Sequence, residues 1–337
     1  MQIFVFEHIT GASVPPGQHP ASLLAEATAM ARGITEDLAA LPAVELITTR
    51  HAQPAPFHGP SCQVIEVGSA DHEHEIFARL AQKSGWTVLI APETSGVLLQ
   101  RAERVEAVGG RLLSHDSDFI KIAANKHATA ELLMQNSVPV PRASVLAYPR
   151  SPLPPVMYPA VIKPIDGCGS QGVRFVQDEA ELESSPDAWP ARLEEYIPGL
   201  PVSVSILCGP RNRFALPACE QLLSADGSFT YQGGRLPLSS DVNRRARQLA
   251  LQAVESLPAT IGYVGVDMVL GSASDGSGDR VIEINPRLTT SYVGLRALAQ
   301  TNLAAAMLAV ALGQSPNLWF QDRSIEFTAS GEILVDK

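Results

Sequence analysis

The sequence predicts an α/β lobe joined to α+β structure. From Met1 to about Leu113, apolar strand-like runs alternate with helix-like runs, which is typical of a parallel sheet wrapped by helices. Further along the chain, strand-like runs come in pairs joined by short turns, as in antiparallel structure. The chain has 337 residues, more than one typical domain holds, so two or three packed lobes are expected.

The first lobe combines buried strands with amphipathic helices. Its first loop, Ile9–Gly17, lacks the GxGxxG spacing, so this lobe need not bind a dinucleotide. Strands are expected at Ile3–Phe6, Val44–Thr48, Val64–Val67 and Thr87–Ala91, and helices at Ala21–Leu41, His72–Lys83 and Gly96–Val108.

A capped helix is expected next. Ser117 or Asp118 can serve as its N-cap, and the periodic run continues to Asn136, before Pro139 prevents continuation. The proline-rich stretch Tyr148–Pro159 indicates a connector. Beyond it, strands are expected at Ala160–Pro164, Val173–Val176, Arg192–Ile197, Val202–Leu207, Arg213–Leu216, Tyr263–Leu270, Arg280–Ile284 and near Ile325, and helices at Asp241–Leu257 and Ser291–Leu312.

The charge balance restricts the partners. Thirty-five acidic and twenty-five basic side chains give a formal net charge of -10, which repels nucleic-acid phosphates and anionic lipid. The N-terminal run lacks the basic start and apolar core of a signal peptide, and no apolar run is long enough to span a bilayer. We therefore expect a cytoplasmic protein that binds neither nucleic acid nor membrane.

A glycine-rich loop is the first candidate for a site. Gly167, Gly169 and Gly172 satisfy G-x-G-x-x-G, but that fingerprint works when a helix follows its last glycine. Here Val173–Val176 alternates as a strand does, which favours a flap whose N–H groups fold over phosphates. Lys163, just before the loop, supplies positive charge. The competing interpretation is a plain hairpin turn with an exposed lysine.

An acidic hairpin is the second and more specific candidate. Glu283 and Asn285 are two apart on a strand and project to one face. Antiparallel pairing through the intervening turn would place Asp267 opposite Glu283. Two carboxylates and an amide oxygen suit Mg²⁺, which takes its remaining ligands from water and phosphates. The competing interpretation is an edge strand whose acids face solvent.

Other candidates are weaker in isolation. The strand that ends at Pro198 leaves backbone groups that can bind an adenine edge, although a routine strand end is the ordinary interpretation. Lys126 is a solvated lysine unless another group fixes it. His72 and His74 are two apart on a helix and point to different sides, so a solvated helix start is favoured over a metal site.

Taken in chain order, these segments resemble the ATP-grasp superfamily of carboxylate–amine ligases. The resemblance extends from Ser114 to about Leu312. It implies an N-terminal pre-ATP-grasp α/β domain at 1–113, a central α+β lobe with the flap at 114–192, and a C-terminal α+β lobe with the metal hairpin at 193–337. The two α+β lobes would enclose the nucleotide.

The resemblance also implies a role for each matching residue. Arg287 would steady an acyl phosphate, and two Mg²⁺ ions, with Mn²⁺ as an expected substitute, would bridge the phosphates of ATP. Leu200–Val202 stands where many members carry a ribose-binding glutamate, so the ribose contact is unassigned. The implied phosphate ligands are Lys126, Lys163, Gly167, Gly169, Ser170, Gln171 and Gly172; the adenine segment is Glu194, Glu195, Tyr196 and Ile197; the metal ligands are Asp267, Glu283 and Asn285.

Two further segments look like the tyramine–glutamate ligases of methanofuran-type cofactor synthesis. They are Tyr231–Leu238 and Asn285–Leu295, and the Phe6–Glu7 start is also similar. The resemblance implies glutamate as the acid and tyramine as the amine. Arg235 would meet the γ-phosphate or the acid's carboxylate, and Tyr292 would line the amine pocket. A homodimer is among the assemblies that the sequence allows.

Two other function classes stay open. A nicotinamide-dependent oxidoreductase rests on the three glycines alone and fails if a strand follows Gly172. A non-catalytic nucleotide sensor with the same fold predicts ATP binding without turnover. The apparent retention of all three metal ligands argues against the sensor.

Overall fold

A computed structural model describes residues 1–12, 14, 18–51, 62–147, 157–183 and 190–334 of the chain. Residues 148–156 of the predicted connector lie outside the described residues, as do 13 and 15–17 of the first loop. Within the described ranges, every helix falls short of the length and apolar character needed to cross a bilayer.

The N-terminal lobe is a four-stranded parallel sheet in the order β3-β2-β1-β4. The predicted alternation of strands and helices is confirmed. Strand β4 is buried along its whole length, which explains why four of its five residues are apolar, with Thr87 as the exception. The strands are β1 Gln2–Glu7, β2 Glu45–His51, β3 Cys62–Val67 and β4 Trp86–Ile90; the helices are α1 His8–Gly11, α2 Ala21–Ala39, α3 Ala70–Lys83 and α4 Val97–Ala107.

The predicted helix from residue 117 to Asn136 is wrong as a single element. It is divided into α5, Ser117–Ala123, and α6, Lys126–Gln135. The side chain of Asp116, and not Ser117 or Asp118, caps α5, and Asn125 caps α6 by accepting from the N–H groups two and three residues on. An Asx side chain competes with helix continuation in this way. As a result, Lys126 begins a helix instead of lying within one.

The central lobe is a four-stranded antiparallel sheet in the order β5-β8-β6-β7 with its own small hydrophobic cluster. The predicted boundary between residues 192 and 193 falls inside β8, which pairs along its length within this sheet, so we place the end of the lobe after Glu195. Its elements are β5 Ala143–Leu146, β6 Ala160–Pro164, β7 Arg174–Val176, α7 Glu179–Glu183 and β8 Ala191–Glu195.

The C-terminal lobe is an eight-stranded antiparallel sheet in the order β14-β13-β9-β11-β12-β15-β16, with β10 paired to β9. The helix predicted at Ser291–Leu312 is likewise divided in two, because Asn302 caps its second half. The strands are β9 Leu200–Cys208, β10 Arg213–Ala215, β11 Cys219–Leu223, β12 Tyr231–Leu236, β13 Gly262–Leu270, β14 Arg280–Asn285, β15 Ile325–Thr328 and β16 Ile333–Leu334; the helices are α8 Ser240–Glu255, α9 Ser291–Leu298 and α10 Leu303–Ala311.

The N-terminal and C-terminal lobes share one hydrophobic core, which includes residues of β1, α2, α9 and α10. Polar contacts also join the lobes at Asp37 of α2. Its carboxylate accepts from Tyr292 Oη at 2.6 Å and from Arg296 at 2.9 Å, and its carbonyl accepts from Asn302 Nδ2 at 2.7 Å. These two lobes therefore form a common frame, to which the central lobe is attached.

A buried histidine between the lobes gives a pH dependence of stability. His115 is fully buried, and its ring nitrogens contact Thr260 Oγ1 at 2.8 Å and Tyr263 O at 2.7 Å. Burial lowers the pKa of His115 from 6.5 to about 4, against the opposing effect of the Tyr263 hydrogen bond. Between these values the unfolded chain binds the proton and the folded chain does not. The contribution to stability is thus complete above about pH 6.5 and is lost as the pH falls toward 4.

We expect His115→Gln to be less sensitive to acid than the wild type. Between pH 7 and pH 5, the difference in unfolding free energy between the two proteins should shrink by about 2 kcal/mol. Urea unfolding followed by circular dichroism measures this difference, in which the other titrating groups cancel. His72→Gln, at an exposed position on α3, is the matched control. A wild-type-to-variant difference that stays constant over this range would contradict the prediction.

Candidate active site

A cavity of about 250 Å³ lies between the central and C-terminal sheets, and Glu26 of the N-terminal lobe also lines it. It brings together groups from β6, β8, β13, β14 and the glycine loop. The sequence-predicted residues that line it are Lys126, Lys163, Gly167, Gly169, Ser170, Gln171, Glu194, Glu195, Tyr196, Ile197, Asp267, Glu283, Asn285 and Arg287.

Lys163 is buried, so the interpretation of this segment as a turn with an exposed lysine is wrong. Its Nζ lies 2.7 Å from Glu194 Oε1 and donates to Ile282 O at 3.3 Å. The other oxygen of Glu194 lies 2.9 Å from Arg192 Nε. One carboxylate thus sits between two cations, which compensates the cost of burying all three charges.

Lys126 connects the glycine loop to the acidic hairpin. Only 8% of the residue is exposed, and its Nζ donates to Gly167 O at 2.7 Å and to Glu283 Oε1 at 2.6 Å. Burial acts to lower the pKa of Lys126, but the charge and hydrogen bond of Glu283 outweigh it and the pKa is raised. The lysine therefore carries its positive charge into the cavity.

The glycine loop joins the antiparallel strands β6 and β7, and no helix follows it. The oxidoreductase interpretation, which needs a helix after Gly172, is therefore wrong. Gly169 and Gly172 have φ of +63° and +71°, and a Cβ on Gly172 would lie 2.9 Å from Pro164 Cγ. Gly172 forms the base of the loop and is not among the cavity-lining residues.

Contacts that the sequence did not predict hold the ends of this loop. The Ser95 N–H donates to Asp166 Oδ2 at 2.9 Å, and Ser170 Oγ donates to Phe229 O at 2.8 Å. The first contact comes from the N-terminal lobe and the second from the C-terminal lobe. The loop thus spans the mouth of the cavity as a flap with a support on each side.

The adenine segment ends β8. The N–H of Glu195 donates to Arg142 O at 2.9 Å, and that of Tyr196 donates to Pro159 O at 3.0 Å, so both donors are engaged within the central lobe. The Tyr196 ring lies 5.2 Å from the Phe175 ring and 6.2 Å from the Phe229 ring, measured between centroids. This end of the cavity is therefore aromatic and suits a planar base.

The acidic hairpin has the predicted register: Asp267 pairs with Glu283 across β13 and β14. Strand β14 is an edge strand, but Glu283 and Asn285 face the cavity and not solvent. Burial and the charge of Glu283 raise the pKa of Asp267 to about 6, against hydrogen bonds from Ser203, Asn285 and Gln221. Two neighbouring carboxylates repel each other, so the space beside them is a favourable place for a cation.

The donor set fits Mg²⁺. Asn285 Nδ2 donates to Asp267 Oδ2 at 2.9 Å, which places the amide beside the carboxylates. In the described part of the chain, no three His, Cys, Asp or Glu side chains converge as a metal cluster. Mg²⁺ in nucleotide sites commonly uses one or two carboxylates and completes its shell with phosphate and water. His72 and His74 are exposed on α3, as predicted.

Arg287 lies at the end of the cavity that faces the N-terminal lobe. Its Nε is 3.0 Å from Glu93 Oε1, and only 3% of Glu93 is exposed. Although burial alone would lower the pKa of Arg287, the Glu93 charge raises it overall. Sequence reasoning missed Glu93. The available signal was its position just past the carboxyl end of β4, where sites gather in parallel sheets.

Two sequence-predicted residues lie elsewhere. The side chain of Arg235 on β12 is 49% exposed and lies 2.8 Å from Glu326 Oε2 and 3.6 Å from Glu220 Oε2, on the face of the sheet away from the cavity. Tyr292 is fully buried against α2. Neither side chain lines the cavity: a register shift in β12 between Tyr231 and Gly233 places Arg235 on the opposite face from Tyr231, and the packing of α9 on α2 directs Tyr292 away.

A polar wall near Arg287 was also not predicted from the sequence. Glu26 of α2 lines the cavity together with Ser203, Gln221, Tyr231 and the segment Thr289–Ser291. Behind this wall, Tyr263 Oη contacts Ser291 Oγ and Thr289 Oγ1, both at 3.3 Å. Tyr231 and Thr289–Ser291 lie in the two segments that resemble the tyramine–glutamate ligases, whereas Glu26, Ser203 and Gln221 come from distant parts of the chain and carry no local motif.

Comparison with known proteins agrees with this geometry. The family model for the ATP-grasp domain matches residues 123–291, and that for the pre ATP-grasp 3 domain matches residues 44–120. Tyramine–L-glutamate ligase of Methanocaldococcus jannaschii is 28% identical over 78% of this chain and 76% of its own length. D-alanine–D-alanine ligase of Pediococcus pentosaceus is 31% identical over 49% of each chain.

A solved structure shows the same fold. An ATP-grasp superfamily protein of Archaeoglobus fulgidus superposes with a TM-score of 0.74 at 23% identity, over 97% of this chain and 92% of that chain. The ATP-grasp model alone accounts for half of the sequence, and its match contains the lysines, the flap and the acidic hairpin. The chain therefore belongs to the ATP-grasp family.

Proposed function

We propose that this protein is an ATP- and Mg²⁺-dependent ligase that joins a small carboxylic acid to an amine through an acyl phosphate. The observation that carries the proposal is the convergence of Lys126, Lys163, the flap and the acidic hairpin on one cavity. The relatives named as tyramine–L-glutamate ligase and D-alanine–D-alanine ligase support the same class of reaction. Glutamate and tyramine are the proposed substrates.

Each group has a proposed place around ATP. Tyr196 and Ile197 would lie against adenine, and Lys126 and Lys163 would bind the phosphates nearer the ribose. The flap at 166–172 would cover the outer phosphates with its N–H groups. Asp267, Glu283 and Asn285 would hold two Mg²⁺ ions, for which Mn²⁺ is the expected substitute. The metal would neutralise charge that develops on the phosphate oxygens.

The proposed reaction has two displacements. An oxygen of the acid attacks the γ-phosphorus, the bond to the β–γ bridging oxygen breaks, and ADP leaves. The amine nitrogen then attacks the acyl carbon, the bond to phosphate breaks, and the nitrogen loses a proton. Arg287, held in place by Glu93, would stabilise the acyl phosphate and the oxyanion of the second step.

Fixed charges supply most of what such a reaction requires, because phosphoryl transfer needs positioning and charge stabilisation more than covalent help. The flap would exclude water, which otherwise hydrolyses an acyl phosphate before the amine reaches it. The proposal includes a cytoplasmic location and no nucleic-acid or membrane partner, in keeping with the net charge of -10.

The test is a matrix assay. The purified protein is incubated with Mg–ATP and combinations of amino acids and amines, and ADP release is measured. We expect release that requires both an acid and an amine, with glutamate and tyramine as the first pair. ATP binding without turnover for every pair would instead identify a nucleotide sensor. Release that never depends on the amine would contradict the ligase.

A further inference from the structure

Glu26 is the acidic residue that the N-terminal lobe contributes to the cavity, whereas Asp166 and Glu195 lie at the flap and the adenine segment and accept from the backbone N–H groups of Ser95 and Arg142. Glu194 is paired with Lys163 and Arg192, and Glu283 is paired with Lys126. Asp267 and Glu283 are in addition the proposed metal ligands. In the described ranges, Glu26 has no lysine or arginine within the 4.0 Å that defines an ion pair. Glu26 Oε2 accepts a hydrogen bond from a neutral group, Thr290 Oγ1, at 3.2 Å.

The position of Glu26 is on the reacting side of the cavity. It projects from α2 in the N-terminal lobe and contacts Thr290, three residues after Arg287. It lines both the main cavity and a smaller adjoining space of about 30 Å³, which Arg287, Met30 and Leu23 also line. The aromatic end proposed for adenine is formed by Phe175, Tyr196 and Phe229 of the other two lobes, so Glu26 is placed to meet the acid or the amine.

A neighbouring carboxylate shows why Glu26 and not another acid is available. Glu7 lines the same small space, but its oxygens accept from Ile9 N at 3.0 Å, Thr10 N at 2.7 Å and Thr10 Oγ1 at 2.7 Å. These bonds commit Glu7 to the start of α1. Glu26 accepts a hydrogen bond from one hydroxyl, so its carboxylate oxygens keep the capacity to accept further bonds from the cavity.

We propose that Glu26 binds the primary ammonium group of a substrate. Arg287 is near enough to act on Glu26 through its charge but does not form an ion pair with it. A half-buried carboxylate without a cation in direct contact is costly, and an ammonium supplies both the charge and up to three donors. The hydroxyl oxygen of Thr290, which donates to Glu26, can accept one of the remaining donors on the same wall. Burial raises the pKa of Glu26, and the charge of Arg287 opposes that rise. The negative charge of Glu26 is therefore unfavourable in this place, and a bound cation would compensate it.

The ammonium can come from either substrate of the proposed ligase. The inference rests on the proposed ligase activity only in its kinetic test. If the acid is an amino acid, Glu26 would hold its α-ammonium while Arg287 lies near the carboxyl group that is activated. If the group belongs to the amine, Glu26 would hold the nucleophile before it loses its proton. The chemistry at Glu26 is the same in both cases.

Glu26→Gln is the test variant, since it keeps the shape and removes the charge. Glu36→Gln is the matched control, because Glu36 lies on the same helix, outside the cavity, and pairs with Arg296. Calorimetric titration with an ATP analogue and Mg²⁺ should give the same affinity for all three proteins. That result shows that the nucleotide site and the fold are intact.

Substrate kinetics then identify the source of the ammonium. We expect Glu26→Gln to raise the KM for one substrate at least tenfold, with KM for ATP unchanged. A rise for glutamate, with loss of the preference for glutamate over glutarate, assigns the group to the acid. A rise for tyramine assigns it to the amine. Changes below about twofold in both would overturn the proposal.

A binding measurement separates this inference from the proposed function. Glutamate and tyramine are each titrated into the wild type and into Glu26→Gln, without turnover. If the wild type shows no ligase activity but binds either compound at least tenfold more tightly than the variant, Glu26 is an ammonium site and the ligase assignment alone has failed. Equal affinities, or no binding by the wild type, would reject the role of Glu26.

Discussion

Glu283→Ala is expected to abolish ADP formation and to leave the fold intact. The substitution removes one of the two carboxylates that face each other across β13 and β14, and with it the proposed Mg²⁺ ligand. We expect ADP release to fall by at least about a thousandfold, since charge compensation on the phosphates is the main contribution of such sites. An ADP-release assay measures the loss of activity, and far-UV circular dichroism measures whether the fold is intact.

A second substitution separates two roles of Glu283. In the structure this carboxylate also holds Lys126, so alanine removes the partner of a buried ammonium at a cost of about 1–3 kcal/mol in stability. Glu283→Gln keeps an acceptor for Lys126 and should be equally inactive. Activity in the glutamine variant would show that Glu283 positions Lys126 and binds no metal. Glu326→Gln, on an exposed part of the same sheet, should retain activity.

Lys163→Ala is expected to weaken ATP binding by about 2 kcal/mol, the contribution of one charge-assisted contact. This corresponds to a roughly thirtyfold rise in Kd. The fold should tolerate the change because Arg192 still neutralises Glu194. Calorimetric titration with an ATP analogue and Mg²⁺ measures the loss.

Lys121→Ala is the control for this variant, as Lys121 is exposed on α5. It removes the same charge from the chain at a position outside the cavity. An equal Kd for wild type and Lys163→Ala would remove Lys163 from the nucleotide site. Equal weakening in both variants would mean that only the net charge matters.

The hairpin and the flap could be predicted because their signals are local. The spacing of Glu283 and Asn285 gives a shared face from strand periodicity alone, and the length of the intervening turn fixes the register with Asp267. The strand after Gly172 distinguishes a flap from a dinucleotide loop in the same way. A period of two that begins directly after the last glycine is visible without any knowledge of the fold.

The remaining features depend on tertiary structure or on weak local competition. Asn125 and Asn302 divide helices that periodicity alone would continue, because one side-chain cap can outweigh propensity. Strands β11 and β12 carry too little alternation to be recognised. From the N-terminal lobe, Glu26 reaches the cavity and Glu93 reaches Arg287, which lines it. Each lies nearly two hundred residues or more from the group that it meets, so no spacing rule could pair them.

The contact between Lys126 and Glu283 has a consequence for the order of binding. Both proposed roles, phosphate binding by the lysine and metal binding by the carboxylate, would compete with that contact, because each draws on a charge that the contact now balances. A triphosphate alone would pair with Lys126 and leave Glu283 without a cation. A divalent ion alone would pair with Glu283 and leave Lys126 without an anion. The two together would give both Lys126 and Glu283 a new partner. We therefore expect the metal–nucleotide complex to bind more favourably than the nucleotide or the metal ion alone.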